Sequence, residues 1–324
     1  MTAFNQAAAL KAGIELDVFT AIGEGAAEPA SLAKRVGADE RGVRILCDSL
    51  TVLGFLHKSD GHYSLAPDAA LFLDRRSPAC LASMSQFLMN DRIVKSFAQL
   101  TEAVKKGGTA TDEGDNEKPH DSFWVNFARS MAPMTVLPAN AMAEMTGMRE
   151  GRACRVLDIA AGHGMYGITM AKMNPQATVT AVDWPAVLEV AKENALTAGV
   201  AERYEARAGN AFDTELGDGY DYVLLTNIFH HFDQSTCERL MKRVHGALKP
   251  GGSAVTLEFV PDEGRVSPPQ AAMFSLMMLA TTDKGDAYTL REYEQMFGHA
   301  GFARTSMHPV PGLPQRVLLS EKAA

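Results

Sequence analysis

The feature that most restricts the fold is a change of texture near Ala153, beyond which short β-rich runs alternate with amphipathic stretches. Residues 155–159, 178–182, 222–225 and 254–259 each read as a buried strand, and the segments between them carry apolar residues at helical spacing. Parallel strands need a crossover between them, so this alternation predicts a doubly wound α/β domain: a mostly parallel sheet with helices on both faces. The helix after Asp233 is marked at both ends. Ser235 and Glu238 stand as a capping box, Leu240, Met241, Val244 and Leu248 share a face, and Pro250-Gly251-Gly252 are placed to stop it.

At 324 residues the chain exceeds the size at which a single core stops growing, so a second domain is expected. Residues 4–22, 29–36 and 41–55 show helical spacing, and 57–65, interrupted by Asp60-Gly61, reads as a β-hairpin. Three helices and a hairpin make the pattern of a winged helix. Residues 1–100 hold ten Lys plus Arg against eleven Asp plus Glu, and the whole chain has a formal charge of −8, so no footprint for a phosphate backbone exists. The helix in the reading position presents Val43, Ile45, Leu46, Leu50, Val52 and Leu53, a surface suited to a second copy of the chain rather than to DNA.

Residues 105–122 are almost entirely polar and read as a mobile connector or lid, after which 123–148 returns to helical spacing. The expected division is therefore a mainly helical winged-helix dimerisation domain over 1–100, a helical connector over 101–148 and a catalytic domain over 149–324. No signal-like start and no run of about 18 uncharged apolar residues is visible, so a cytoplasmic protein without a membrane partner is expected. Cys47, Cys80, Cys154 and Cys237 are scattered, without the spacing of a disulfide framework or a metal site.

Val156-Leu157-Asp158-Ile159-Ala160-Ala161-Gly162-His163-Gly164 leaves the first strand through a turn of small residues, where a backbone can pass close to a ligand. Asp183 ends the next strand about 20 residues later, placed to accept hydrogen bonds from both hydroxyls of a ribose. That much suits a dinucleotide and an adenosyl ligand equally. Ala160 stands where the dinucleotide pattern has its first glycine, and Asp158 is additional.

With these motifs the C-terminal half resembles class I S-adenosylmethionine-dependent methyltransferases. Together with the winged helix, nearly the whole chain resembles the caffeic-acid-type O-methyltransferase family and its bacterial relatives. The resemblance implies a seven-stranded Rossmann-like sheet, S-adenosylmethionine as cofactor, no metal, a homodimer and a small aromatic substrate. It implies that Asp158, Ala160, Gly162 and Gly164 face the methionine portion, that Asp183 meets the ribose and that Asn210 and Phe212 flank the adenine, with Trp184, Ala211 and Thr226 also at the cofactor. Plant members carry Asp at the place of Asn210 and often Lys at that of Thr226.

The same resemblance places a catalytic base at His230 and an orienting acid at Glu258, and it lines the acceptor pocket with Phe127, Met131, Phe274, Met277, Met278 and Thr282. A phenol of pKa about 10 facing a His of about 6.5 leaves full proton transfer about 5 kcal/mol uphill, so such a base acts as the methyl arrives. Two departures stand out. His231 replaces the usual Asp after the base, and a second family acid falls at Ala287, one residue from Asp286. C- or N-methylation of an aromatic or tetrapyrrole metabolite, and non-methylating chemistry on the same cofactor, therefore stay open beside O-methylation of a hydroxylated aromatic. A cofactor-sensing winged-helix regulator is the reading from another class, opposed by the charge count.

Overall fold

The computed structural model describes residues 2–111 and 121–324, and the chain divides into two units, Met1–Asn90 and Asp91–Ala324. In the first, helices Ala3–Glu15, Val18–Gly23, Pro29–Val36 and Glu40–Val52 precede the hairpin of β1 (Leu56–Ser59) and β2 (His62–Leu65). Its turn residues Asp60 and Gly61 both have positive φ, 49° and 79°, as a two-residue turn matching strand twist requires. The single helix expected over 4–22 is two. Asp17 takes the left-handed conformation with φ 60°, and its carboxylate pairs with Arg75 at 3.0 Å. The apolar residues of Glu40–Val52 also divide: Val43 and Leu50 belong to this unit's own core, whereas Val52 is 87% exposed and Ile45 42%.

The second unit is built on one seven-stranded sheet. Its strands are β3 (Cys154–Ile159), β4 (Ala177–Asp183), β5 (Tyr204–Ala208), β6 (Tyr220–Thr226), β7 (Leu248–Glu258), β8 (Arg304–Pro309) and β9 (Arg316–Glu321). They lie in the order β5-β4-β3-β6-β7-β9-β8, parallel from β5 to β7, with β9 antiparallel to its neighbours. Val156, Leu157, Ile159, Val223, Leu224 and Leu225 are all fully buried, the near-continuous apolar run of strands covered on both faces. The chain winds outward from β3 to β5 and then returns to start β6 beside β3. The loops after these two strands leave in opposite directions, and the gap between them is where doubly wound sheets take ligands.

The four strands expected from sequence are present: three have slightly wider bounds, and the one expected over 254–259 runs from Leu248 to Glu258, while β5, β8 and β9 were not anticipated. The helical stretch expected over 123–148 is broken into Asp121–Met131, the 3-10 turn Ala132–Thr135 and Val136–Met145, with Pro133 in the turn and Pro138 in the first turn of the next helix. Of the connector expected over 105–122, Lys105 and Lys106 end the helix Leu100–Lys106, and the Thr109 amide donates to Thr282 O at 2.8 Å. Residues 112–120 lie outside the described residues. Among the described residues no helix is long and apolar enough to cross a membrane.

Helix Gln234–Ala247 is capped by Asp233, not Ser235. Asp233 Oδ1 accepts from the Thr236 amide and from Ser235 Oγ, each at 2.8 Å, and the amide bond is the main reason its carboxyl is held below the usual range. Beyond Ala247 the chain enters β7 directly, so Pro250-Gly251-Gly252 lie within that strand's span. Asp233→Ala is expected to lower stability by about 1 kcal/mol, and Ser235→Ala by clearly less, in urea denaturation. Equal costs at both positions would contradict this cap.

Candidate active site

At the carboxyl ends of β3, β4 and β6 a cleft of about 750 Å³, counting its open mouth, is lined by Ala160, Gly162, Asp183, Trp184, Val187, residues 209–212, residues 226–228, His231, Phe232 and, from helix Asp121–Met131, Trp124 and Phe127. Ala160 holds φ 53° and Asn227 φ 55°, a conformation rare for residues with a Cβ and characteristic of sites where the surroundings impose it. Both follow the strands at the sheet's reversal. The Asn227 amide donates to Leu257 O at 2.9 Å and its Oδ1 accepts from Gln315 Nε2 at 3.1 Å, which keep it in place.

Asp183 accepts the Gly162 amide on Oδ2 and the Trp184 amide on Oδ1, both at 2.7 Å. Burial nevertheless pushes its carboxyl up to about 6, although the residue keeps a partial opening to the cleft. Asp158, in the middle of the core on β3, is wholly enclosed. Its Oδ2 accepts the Gly167 amide at 3.2 Å, its Oδ1 has no partner among the described residues, and burial, with the Asp183 charge adding, raises it to about 8. His163 in the glycine turn is held neutral, burial lowering it to about 4.

These residues fit an adenosyl sulfonium. A carboxylate that has used one lone pair on each oxygen keeps two for the hydroxyls of a ribose. Phe212, Trp184 and Val187 offer a flat apolar wall for a purine, and Ala160 and Gly162 let the chain approach the remainder of the ligand.

Beside the cleft, His230 Nδ1 lies 2.7 Å from Glu258 Oε2, with the two side chains 5% and 0% exposed. The amides of Phe229 and His230 donate to Glu258 Oε1 and that of Phe259 to Oε2, so four donors converge on this one carboxylate. An ionised carboxylate only accepts, which makes Nδ1 the protonated nitrogen and leaves the lone pair of the neutral ring on Nε2. Phe274 stands edge-on to the His230 ring at 4.8 Å and stacks on Phe259 at 3.8 Å.

Residues 114–303 match the O-methyltransferase domain, and residues 1–75 the O-methyltransferase dimerisation domain. The chain belongs to the O-methyltransferase family. It is 45% identical to a candidate O-methyltransferase from Nostoc punctiforme, whose crystal structure superimposes with a TM-score of 0.94 over 99% of this chain and 96% of that one. It is 29% identical to the 3-hydroxy-5-methyl-1-naphthoate 3-O-methyltransferase of Streptomyces sahachiroi, covering 94% of this chain and 88% of the relative. Human N-acetylserotonin methyltransferase, solved with S-adenosylmethionine, is 22% identical and shares the fold with a TM-score of 0.88 over 100% of this chain and 95% of that one. Another structure that shares the fold, PigF, was solved with S-adenosylhomocysteine and is 23% identical, with a TM-score of 0.87 over 99% of this chain and 97% of that one.

Eight of the ten residues expected around the cofactor, Ala160, Gly162, Asp183, Trp184, Asn210, Ala211, Phe212 and Thr226, line this cleft. Gly164 starts the helix Met165–Met173 and Asp158 lies beneath the turn. Asn210 Oδ1 is engaged by the Phe212 amide at 2.9 Å, which leaves the NH₂ group of the side chain for a ligand. The residues expected at the acceptor are more dispersed. Phe127 lines the same cleft, Met131 and Met277 are half-buried without lining it, and Met278 is buried. Thr282 Oγ1 donates to Met278 O at 2.7 Å and accepts the Gly285 amide at 2.9 Å, so its proton and one lone pair already serve the end of helix Pro269–Thr281.

Asp286 accepts from Arg265 Nη1 at 3.1 Å and from the Ala287 amide at 2.8 Å, while Arg265 also grips Glu292 with two contacts of 2.6 Å. It is thus tied into a surface ion pair. His231, not His230, lines the cofactor cleft; its ring stands edge-on to Trp124 at 5.4 Å, and burial, with His230 and Arg92 adding, lowers it well below the usual histidine range. Trp124, Val187, Gly209, Asn227, Ile228 and Phe232 complete the cleft without having been singled out in the sequence. Asn227 alone left a signal, being an amide, the side chain best tolerated at positive φ, directly after a strand.

Burial pushes the Asp183 carboxyl up to about 6, so protonation below that value removes a lone pair that a ribose hydroxyl could use. Affinity for S-adenosylhomocysteine, followed by calorimetry, is expected to be level above pH 7 and to fall as pH drops through about 6. Asp183→Asn should weaken binding at pH 7.5 about tenfold and abolish that step. A wild-type profile without the step would rule out a direct bond from Asp183.

Proposed function

We propose that this O-methyltransferase methylates a hydroxyl group on an aromatic small molecule, with His230 taking the hydroxyl proton. The observation that carries the reading is the 2.7 Å bond between His230 Nδ1 and Glu258, which commits the ring to the tautomer with its basic lone pair on Nε2. S-adenosylmethionine supplies an electrophilic methyl group, so what the chain contributes is position and proton removal. Asp183 holds the ribose, Asn210, Ala211 and Phe212 border the adenine, and the turn from Asp158 to Gly164, with Thr226, receives the methionine portion.

Glu258 stabilises the imidazolium that forms at His230, from a site where the ion pair is screened from water. His231 is the poorer base because its surroundings oppose its protonation. Phe274, in contact with the His230 ring, offers a flat wall to an aromatic acceptor, and Phe127, Met131, Met277, Met278 and Thr282 belong to its surroundings. The names of the naphthoate enzyme and of a tetracenomycin polyketide 8-O-methyl transferase from Streptomyces glaucescens, 26% identical over 99% of this chain, support an aromatic acceptor. We take the working form to be a cytoplasmic homodimer paired through the N-terminal unit, supported by the dimerisation-domain match; light scattering should return twice 34.9 kDa.

On a panel of phenols and naphthols, with product read by mass, His230→Ala is expected to lower kcat at least about 100-fold and leave S-adenosylhomocysteine affinity unchanged, whereas His231→Ala should retain more turnover. Near-normal turnover of His230→Ala would discard the general base; a methylated carbon or nitrogen as the sole product would discard O-methylation.

A further inference from the structure

Residues 209–219, between β5 and β6, form no regular element, yet this segment supplies Gly209, Asn210, Ala211 and Phe212 to the cleft. Its internal bonds are local to Asn210: the Asp213 and Thr214 amides both donate to Asn210 O and the Phe212 amide to Asn210 Oδ1, and Gly209 packs so tightly on Thr214 Oγ1 that a Cβ would collide with it. Guanidinium groups do the rest. On helix Gln234–Ala247, Arg243 Nε donates to Ala211 O at 3.2 Å and its Nη2 to Thr214 O. One turn earlier, the Arg239 guanidinium lies over the Phe212 ring, 4.7 Å from its centroid. From β5, Arg207 Nη1 donates to Glu215 O and Leu216 O, each at 3.0 Å. The Phe212 ring is edge-on to Phe232 at 5.2 Å, held between that ring and the Arg239 cation.

We propose that Arg239 and Arg243 are positioning residues for donor binding, which set the Asn210–Ala211 backbone and the Phe212 ring in the arrangement that receives the adenine. The inference rests on the reading of Asn210, Ala211 and Phe212 as the adenine border. A planar guanidinium presents its donors in a fixed fork and loses less freedom per bond in holding two carbonyls than an ammonium on a flexible stem does. Without Arg243 the Ala211 and Thr214 carbonyls turn to water, the loop spends time in other conformations, and the ligand must select the competent one, so apparent affinity falls by the fraction competent. His230 and Glu258 stand on other segments, so the chemistry of the bound complex suffers less than the binding does.

Calorimetry with S-adenosylhomocysteine on the full-length protein tests this, beside the Tm of each variant without ligand. Arg243→Ala is expected to weaken binding about tenfold and Arg239→Ala about threefold, with Arg243→Lys between Arg243→Ala and the parent. The donor KM should rise with the loss of affinity, and kcat at saturating donor should fall less than affinity does. Lys242→Ala, on the exposed side of the same helix, should bind as the parent does. Arg239 is exposed, so its variant folds and decides the matter even if Arg243→Ala does not. Binding within about twofold of the parent in the folded arginine variants, while Phe212→Ala is weakened, would overturn the positioning role. Full affinity in Phe212→Ala would overturn the adenine reading beneath it and the proposal with it.

Discussion

The architecture of the site depends on where the sheet changes direction. β3 and β6 are neighbours but begin opposite halves of the winding, so the loops that follow them diverge and neither can close the gap over the sheet's edge. Most of the cleft lining lies on that edge, namely the turn from Ala160 to Gly164, the carboxylate of Asp183 from β4, the segment after β5, and residues 226–232 after β6, with Trp124 and Phe127 added from helix Asp121–Met131. The positive φ values at Ala160 and Asn227 fall on the two strand ends at the reversal, where each chain must turn out of the sheet within one residue.

Acidic groups in this region are placed where burial works against their charge. Asp183 reconciles the two by accepting two backbone amides, which hold it in a fixed orientation while burial keeps its pKa near 6. Asp158 has one such bond and is raised further, to about 8. Burial of an incompletely paired acid at this depth costs stability. Glu258 illustrates the opposite arrangement, where three backbone amides and one imidazole satisfy a fully buried carboxylate.

Two of the departures from the plant pattern, Ala287 and His231, find a local physical account. Ala287 is fully buried, so the second acid has been replaced by apolar packing, and Asp286 next to it turns outward to Arg265. His231 occupies a wall of the donor cleft shared with Trp124, in surroundings that keep it neutral, rather than presenting a second charge beside His230. The histidine pair thus divides into one ring bound to an acid and one ring serving as an uncharged surface.

The alternation of β-rich runs with amphipathic stretches determined the sheet and its layers, because buried parallel strands must be apolar on both faces and leave that record locally. The Asp60-Gly61 turn, the glycine-rich turn and Asp183 were legible for the same reason: each is a backbone or charge requirement met within a few residues. The break at Asp17, the choice of Asp233 over Ser235 as cap, and the membership of Trp124, Gln315, Arg239 and Arg243 in or behind the site were decided only in three dimensions. Their partners lie elsewhere in the chain, and a side chain whose role is to meet a distant carbonyl or ring carries no mark of it among its own neighbours in sequence.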